Sequence, residues 1–195
     1  MEAGLEELKA GTGDSDTRVM NWNTVSGAIA FFGDDPESDA MDYVIEHDIM
    51  SAITLECRKR PLDNNVLASL VRAATSINLS QKNAEKISAS TDYISALMDV
   101  VQTLAPAENG AFAFAALANM ALNPISHKNL LACGGLEMAL GLLHYLDGTE
   151  THEIDVGLTS ATFICRVVGK EESGPGPDSI KSNAKVSFLL FFFSK

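Results

Sequence analysis

The chain has 195 residues, of which 46% are hydrophobic and 7% aromatic, and its net charge at pH 7 is −12. This length and apolar content are enough for one domain with a core of its own. The excess of acid excludes nucleic acid and anionic membrane surfaces as partners, because their phosphates would be repelled, and it permits a basic peptide or protein partner.

The N-terminal end combines acidic residues with glycine. Residues 1–17 show no clear apolar pattern and lack the apolar core of a signal peptide. We therefore predict a disordered acidic tail over residues 1–17. Residues 1–50 hold twelve Asp or Glu side chains against two basic ones, which gives a charge of −10. A solvated acidic surface is the favoured interpretation of this charge, over a dedicated binding patch.

From residue 18 to residue 172 the sequence predicts a domain of helices separated by short breaks. Alternation of period two is absent and β-branched runs are short, so strands are not expected. The breaks are rich in Gly, Pro, Asp and Asn, which end helices or cap new ones. They fall at residues 33–39, 59–64, 105–110, 123–126 and 147–153. The predicted fold class is all-α.

One apolar stretch, NLLACGGLEMALGLLHYL (129–146), carries two adjacent glycines, Gly134 and Gly135, inside a helical pattern. A glycine in a helix interior costs about 1 kcal/mol relative to alanine. Glycine also adopts backbone angles that other residues avoid. We therefore predict two shorter helices that meet at a sharp corner.

Similar segments recur at spacings near 42 residues. YISALMDVVQTL (93–104) and GLEMALGLLHYL (135–146) align without gaps at a separation of 42, with apolar residues matched at helical intervals. DIMSAITLECRK (48–59) is a weaker copy, 44 residues before the first of these. In a second series Asn78 aligns with Asn119 at a separation of 41. A unit of this size, with two or three helices, falls within the roughly 40–47 residues of the helical HEAT and armadillo repeats.

The order within the unit resembles the armadillo repeat: a long apolar helix ending in Asn, a polar break, a short helix, two glycines and an amphipathic helix. The match is best across residues 110–146, fair across 64–104 and degenerate across 21–60, and it extends over roughly residues 20–170. The resemblance implies an armadillo-like right-handed α-superhelix of about three to four repeats. It also implies a concave face, formed by the third helices, that binds another protein.

The resemblance suggests candidate partner-binding residues. In armadillo proteins that bind extended peptides, asparagines of the third helices line the groove and hydrogen-bond the peptide backbone. Asn78 and Asn119 match that position, and Phe31 and Arg166 are the corresponding residues of the outer units. The tryptophan that such families carry four residues earlier is alanine at residues 74 and 115. Two roles stay open for both asparagines: groove-lining ligand, or buried residue bonded to a neighbouring carbonyl.

The sequence contains no catalytic motif of a familiar kind. A Walker loop, a GxSxG elbow, an HExxH motif and a dinucleotide fingerprint are all lacking. The four histidines are not spaced as metal ligands and are predicted at the surface. The acidic loop at residues 34–42 lacks the ligand order of a calcium site. We expect no enzyme activity, no cofactor and no metal; a pocket joining His127 or His144 to a carboxylate and a nucleophile would contradict this.

The three cysteines, Cys57, Cys133 and Cys165, lie far apart in apolar helical segments. Their odd number and spacing predict buried free thiols in a reducing compartment. No apolar run reaches the length of a membrane span. The sequence therefore predicts a protein of the cytoplasm, or of the nucleus.

The C-terminal end departs from the helical pattern. SGPGPDS (173–179) would stop the preceding helix, and KVSFLLFFFSK (185–195) has no counterpart in the other units. We predict an irregular tail over residues 173–195. Lys-Val-Ser is also a translation of a typical 5′ splice donor, so intron read-through from Val186 onward is the preferred explanation. An apolar docking segment is the alternative.

These features together predict a protein–protein interaction scaffold or adaptor. Its partner is expected to be another protein or an extended peptide, which the net charge allows to be basic, and neither nucleic acid nor a membrane. Two alternatives on the same fold are a nucleotide-exchange cofactor of Hsp70 chaperones and a transport receptor for basic peptides.

Overall fold

The computed structural model describes residues 2–32 and 39–168, and at residues 2, 30–32 and 40 it describes the backbone alone. Every regular element in these ranges is a helix. The all-α fold class predicted from the sequence is therefore confirmed. The predicted irregular tail at 173–195 lies outside the described residues.

The described part of the chain contains eleven α-helices and two short 3₁₀ turns. In chain order the α-helices are α1 (Glu2–Ala10), α2 (Ser15–Phe32), α3 (Asp39–Glu46), α4 (Ile49–Arg58), α5 (Asn64–Ile77), α6 (Ala84–Ala89), α7 (Thr91–Leu104), α8 (Glu108–Met120), α9 (His127–Ala132), α10 (Gly135–Leu142) and α11 (Thr151–Val168). The 3₁₀ turns are Pro124–Ser126, which leads into α9, and Leu143–Asp147, which follows α10.

From α3 onward the helices follow a repeating order of a short helix, a second helix and a third helix. The sets are α3–α4–α5, α6–α7–α8 and α9–α10–α11, and α2 stands where a third helix would precede the first set. The third helices stack side by side, α2 against α5, α5 against α8, and α8 against α11. In the other layer α4 packs on α7, and α7 contacts α10. The apolar core therefore runs continuously from one set to the next.

A sharp corner separates α9 from α10. Gly134 has a φ of +85°, in the left-handed region that favours glycine. The helical segments on the two sides of the corner are bent by 82°. A Cβ on Gly135 would lie 2.8 Å from the carbonyl oxygen of Leu130 and 2.9 Å from Cε of Met98, so α10 begins where no larger side chain fits. The corner predicted at these two glycines is confirmed.

The first residues of the chain do not form the predicted disordered tail. Residues 2–10 form α1, which packs on α2 and α4. Leu5 and Leu8 are buried, and the Asn21 amide donates a hydrogen bond to Glu7 across the α1–α2 contact. The prediction for residues 1–17 is wrong because two leucines three residues apart already give a short helix one apolar face. A pattern this short escapes a search for longer periodicity.

The second helices bury the same positions when they are aligned by sequence spacing. A spacing of 44 brings all six buried positions of α4 onto buried positions of α7. These pairs are Ile49 with Tyr93, Met50 with Ile94, Ala52 with Ala96, Ile53 with Leu97, Glu56 with Val100 and Cys57 with Val101. A spacing of 42 places the four buried positions of α10 on buried positions of α7 in the same way. The core of this layer therefore uses equivalent positions in all three helices.

The third helices need other spacings. Six buried positions of α5 coincide with buried positions of α8 at a spacing of 43. These pairs are Leu67 with Gly110, Leu70 with Ala113, Val71 with Phe114, Ala73 with Ala116, Ala74 with Leu117 and Ile77 with Met120. A spacing of 47 does the same for five positions of α8 and α11. These pairs are Gly110 with Gly157, Ala113 with Ser160, Ala116 with Phe163, Leu117 with Ile164 and Met120 with Val167.

The spacing of 41 that aligned Asn78 with Asn119 is therefore wrong by two residues. Asn78 follows the last residue of α5, whereas Asn119 lies within the last turn of α8. At the spacing of 43, Asn119 corresponds to Ser76. At the spacing of 47, it corresponds to Arg166. The two asparagines thus occupy different positions in their units.

Candidate protein-binding cleft

An open cleft of about 520 Å³ runs between α8 and α11. Side chains at three- and four-residue intervals, from one face of each helix, line it. They are Glu108, Ala111, Phe112, Ala115, Ala118 and Asn119 from α8, and His152, Asp155, Leu158, Thr159, Thr162 and Arg166 from α11. The cleft therefore belongs to the layer of third helices.

The end of the cleft nearest the first residues of both helices is acidic. Glu108 is the first residue of α8, and Asp155 occupies the equivalent position of α11 at the spacing of 47. Both side chains are exposed. Within residues 2–32 and 39–168 neither carboxylate has a hydrogen-bond or ion-pair partner. Two uncompensated negative charges thus face solvent at this end, where they are free to attract a cation.

The middle of the cleft is apolar. Phe112 and Leu158 keep 38% and 54% of their surfaces exposed, and both line the cleft, one from each helix. Small residues, Ala111 and Ala115, lie beside Phe112 on α8 and leave room between the two helices. An apolar side chain of a partner could cover both exposed residues.

The other end of the cleft carries hydrogen-bond donors. Asn119 Nδ2 donates to the carbonyl oxygen of Thr75 on α5 over 3.3 Å, and Arg166 Nη1 donates to that of Ala118 on α8 over 2.5 Å. Thr75 and Ala118 are themselves equivalent at the spacing of 43, so these two hydrogen bonds are equivalent as well. Each ties a third helix to the one before it. A guanidinium has five N–H donors, so Arg166 keeps others for a ligand.

Asn78 does not belong to the cleft. It is buried, and its Nδ2 donates to the carbonyl oxygen of Ala116 over 2.8 Å while its Oδ1 accepts the Tyr93 hydroxyl at 3.0 Å. Burial raises the pKa of Tyr93 well above its ordinary value, so the phenol remains a donor. Of the two roles open for Asn78, the structure places it in the buried one, and its assignment as a partner-binding residue is wrong.

Two predicted site residues are therefore brought together, Asn119 and Arg166, and Asn78 is not with them. Phe31 lies in α2, but its side chain is outside the described part of the structure. Asn119 bonds a neighbouring carbonyl and also lines the cleft, so its role as a ligand for a partner stays a prediction.

Among the cleft residues that the sequence did not predict, four supply its acidic end and its exposed apolar pair: Glu108, Phe112, Asp155 and Leu158. The sequence does hold a signal for two of them, because Glu108 and Asp155 are acidic residues at equivalent positions of two units. This equivalence can be recognised only when the spacing of 47 is known. Phe112 lies in the run AFAFAALANMAL, where apolar residues fill every face and periodicity cannot separate core from surface.

The histidines and cysteines depart in part from their predicted locations. His127 is buried, with Nε2 2.9 Å from the carbonyl oxygen of Ala121, whereas His144 is exposed, with Nδ1 2.7 Å from that of Gly141. Cys57 is buried, which raises the pKa of its thiol to about 12. Cys133 is half-buried and Cys165 exposed, so the prediction of three buried thiols is wrong for these two.

Among the described residues, no three His, Cys, Asp or Glu side chains form a group that could hold a metal ion. No single helix in those ranges has the length and apolar content to cross a membrane. Comparison of the chain with models of protein families, with curated proteins and with solved structures found no match.

Proposed function

We propose that the chain is a protein-binding adaptor, without enzyme activity, built from about three armadillo-type units in a right-handed superhelix. The third helices form its binding layer, and α2 contributes the third helix of one further, partial unit. The partner is an extended segment of another protein, seated in the cleft between α8 and α11. The main support for this proposal is the cleft itself, with its exposed apolar pair Phe112 and Leu158.

The order of helices supports the armadillo part of this proposal. Three successive sets share a short helix, a second helix and a third helix, and the buried positions of the second helices coincide from set to set. Units that stack in this way bury their apolar faces against their neighbours and leave one layer of helices as a binding surface.

The chemistry of the cleft supports a peptide as ligand. Its length, measured from Glu108 to Asn119 along α8, is about 16 Å at 1.5 Å per helical residue. An extended chain of about five residues at roughly 3.3 Å each has the same length. Asn119 has an amide oxygen without a partner in the described structure, and Arg166 has spare donors, so both could bond a peptide backbone.

Selection from a phage library of random dodecapeptides, with the full chain immobilised, tests this function. We expect the selection to enrich peptides that bind the wild type. These peptides should bind the variant Phe112→Ala/Leu158→Ala at least tenfold more weakly than they bind the wild type. The matched control, Leu122→Ala/Ile125→Ala, removes two exposed apolar side chains that do not line the cleft and should leave affinity unchanged. A library that yields no peptide, or peptides that ignore the cleft variant, would contradict the proposal.

A further inference from the structure

We infer that the cleft selects an extended protein segment by the order of its side chains: basic at one end, apolar in the middle and acidic at the other. This inference rests on the proposed function and specifies the partner that the cleft accepts. It depends on the uneven distribution of charge along α8 and α11.

The first step is the acidic end. Glu108 and Asp155 are exposed and have no partner among the described residues. Some other acidic side chains do have partners; Glu56 and Asp63, for example, accept hydrogen bonds from Arg18. Both cleft carboxylates would attract a basic side chain of the ligand, and the residues that line this end include His152 but no described lysine or arginine.

The second step is the apolar anchor. Phe112 lies four residues beyond Glu108, and Leu158 three residues beyond Asp155, which is about 4.5–6 Å along the helices. An extended ligand covers this distance in about two residues. A leucine-sized side chain two positions from the basic residue would therefore reach the exposed pair.

The third step is the donor end. Asn119 and Arg166 lie 11 residues beyond Glu108 and Asp155 respectively, about 16 Å along each helix. The carbonyl of Ala118 already holds one Nη1 donor of Arg166, which limits the rotation of the guanidinium. A carboxylate binds a guanidinium more strongly than a neutral acceptor does. Four positions of an extended ligand cover about 13 Å, and the lengths of its basic and acidic side chains cover the remaining ~3 Å. An acidic side chain four positions from the basic one therefore completes the order.

Synthetic peptides test the inference directly. The probes are KSLSE, its reverse ESLSK and the neutral QSLSQ, each blocked at both ends, titrated against the full chain at low ionic strength. We expect the better of the two charged peptides to bind about tenfold tighter than QSLSQ. Because these charges are exposed, the advantage should fall to less than threefold in 0.5 M salt.

A charge-reversal variant supplies the second half of the test. Glu108→Lys/Asp155→Lys should reduce binding of both charged probes to the level of QSLSQ and should bind ESLSE better than the wild type does. The control Glu85→Lys/Glu137→Lys reverses two exposed acids in the first turns of other helices and should bind as the wild type does.

The outcomes separate this inference from the proposed function. If QSLSQ binds as tightly as the charged probes and Phe112→Ala/Leu158→Ala still weakens it, the charge order is overturned and the adaptor function stands. If the pentapeptides bind too weakly to measure, the library peptides decide: flanking basic and acidic residues support the inference, and random flanks overturn it. Failure of both probes and library overturns both proposals.

Discussion

Charged side chains are arranged differently at the contact of α2 with α4 and α5 and in the cleft between α8 and α11. Where α2 meets α4 and α5, the buried Glu56 accepts hydrogen bonds from Arg18 at 2.6 Å and from Lys59 at 2.7 Å. Asp63 accepts from Ser15 and from Arg18 and also caps α5. In the cleft between α8 and α11, by contrast, Glu108 and Asp155 have no described partner.

The two halves also use different chemistry to hold their third helices together. Ion pairs join α2 to the residues around α4 and α5, whereas α8 and α11 are joined to their neighbours by side-chain donors on backbone carbonyls. A buried ion pair requires both members, because the partner left behind is an uncompensated charge. The comparison shows paired charges, one of them buried, at the contact of α2 with α4 and α5, and exposed carboxylates without a described partner in the cleft between α8 and α11.

The largest effect is expected from Arg18→Met, which leaves the buried Glu56 with Lys59 alone. We expect a loss of about 3 kcal/mol in the free energy of unfolding, measured with urea, because removing one member of a buried pair costs roughly 3–5 kcal/mol. The control Arg58→Met breaks the exposed pair with Asp92 and should cost less than about 1 kcal/mol. Equal losses in the two variants would remove the distinction drawn for the N-terminal half.

The next effect concerns the corner in the C-terminal half. Gly135→Val should cost about 2 kcal/mol, because the new side chain would meet the carbonyl oxygen of Leu130, which belongs to the backbone and cannot move aside. Gly141 lies in the same helix with open space around it, so Gly141→Ala should be neutral or stabilising in the same urea titration. A destabilised Gly141→Ala would show that α10 as a whole tolerates no change.

A smaller effect separates the two asparagines. Asn78→Ala should lower the free energy of unfolding by about 1–2 kcal/mol, because the buried Ala116 carbonyl and Tyr93 hydroxyl lose their partner. Asn119→Ala should cost about 0.5 kcal/mol, the lower end for a hydrogen bond, since its bond is long and half-exposed, and should instead weaken binding of the library peptides. Thermal melts and peptide titrations of both variants test this. A loss of stability in Asn119→Ala together with a loss of binding alone in Asn78→Ala would contradict it.

The smallest effect is a dependence on pH. The Ser15 hydroxyl, followed by the amides of Val66 and Asn65, holds the pKa of Asp63 below its ordinary value of 3.8. A lowered pKa means that the stabilisation is complete above about pH 4 and is lost as the pH falls through the lowered value. Asp63→Asn keeps a good capping residue and should flatten this part of the stability curve in urea titrations between pH 5 and pH 2. An unchanged slope would show that Asp63 contributes nothing to it.

The sequence was sufficient for those features that have a local signature. Helical periodicity predicted the fold class, and the adjacent glycines predicted the corner, because each effect is decided within a few residues. The burial of Glu56 could not be predicted, since its partner Arg18 is 38 residues away and on another helix. Asn119 and Arg166 were found through the armadillo resemblance. Asn78 was misplaced because an asparagine after an apolar residue occurs both just after α5 and in the last turn of α8, and the two were aligned with each other.

The unequal spacings identify a place where the chain accepts extra length. Second helices α7 and α10 are related by 42 residues, but the third helices that follow them, α8 and α11, are related by 47. The five additional residues therefore lie between α10 and α11, and Asp147 and Thr149 are exposed there. Each doubling of the length of a flexible loop raises the entropic cost of closing it by only about 0.6 kcal/mol. A fluorescent reporter or affinity tag inserted between Asp147 and Gly148 would thus lie a few residues before His152, the first cleft residue of α11, and would break one backbone hydrogen bond, from Gly148 N to the carbonyl oxygen of Tyr145.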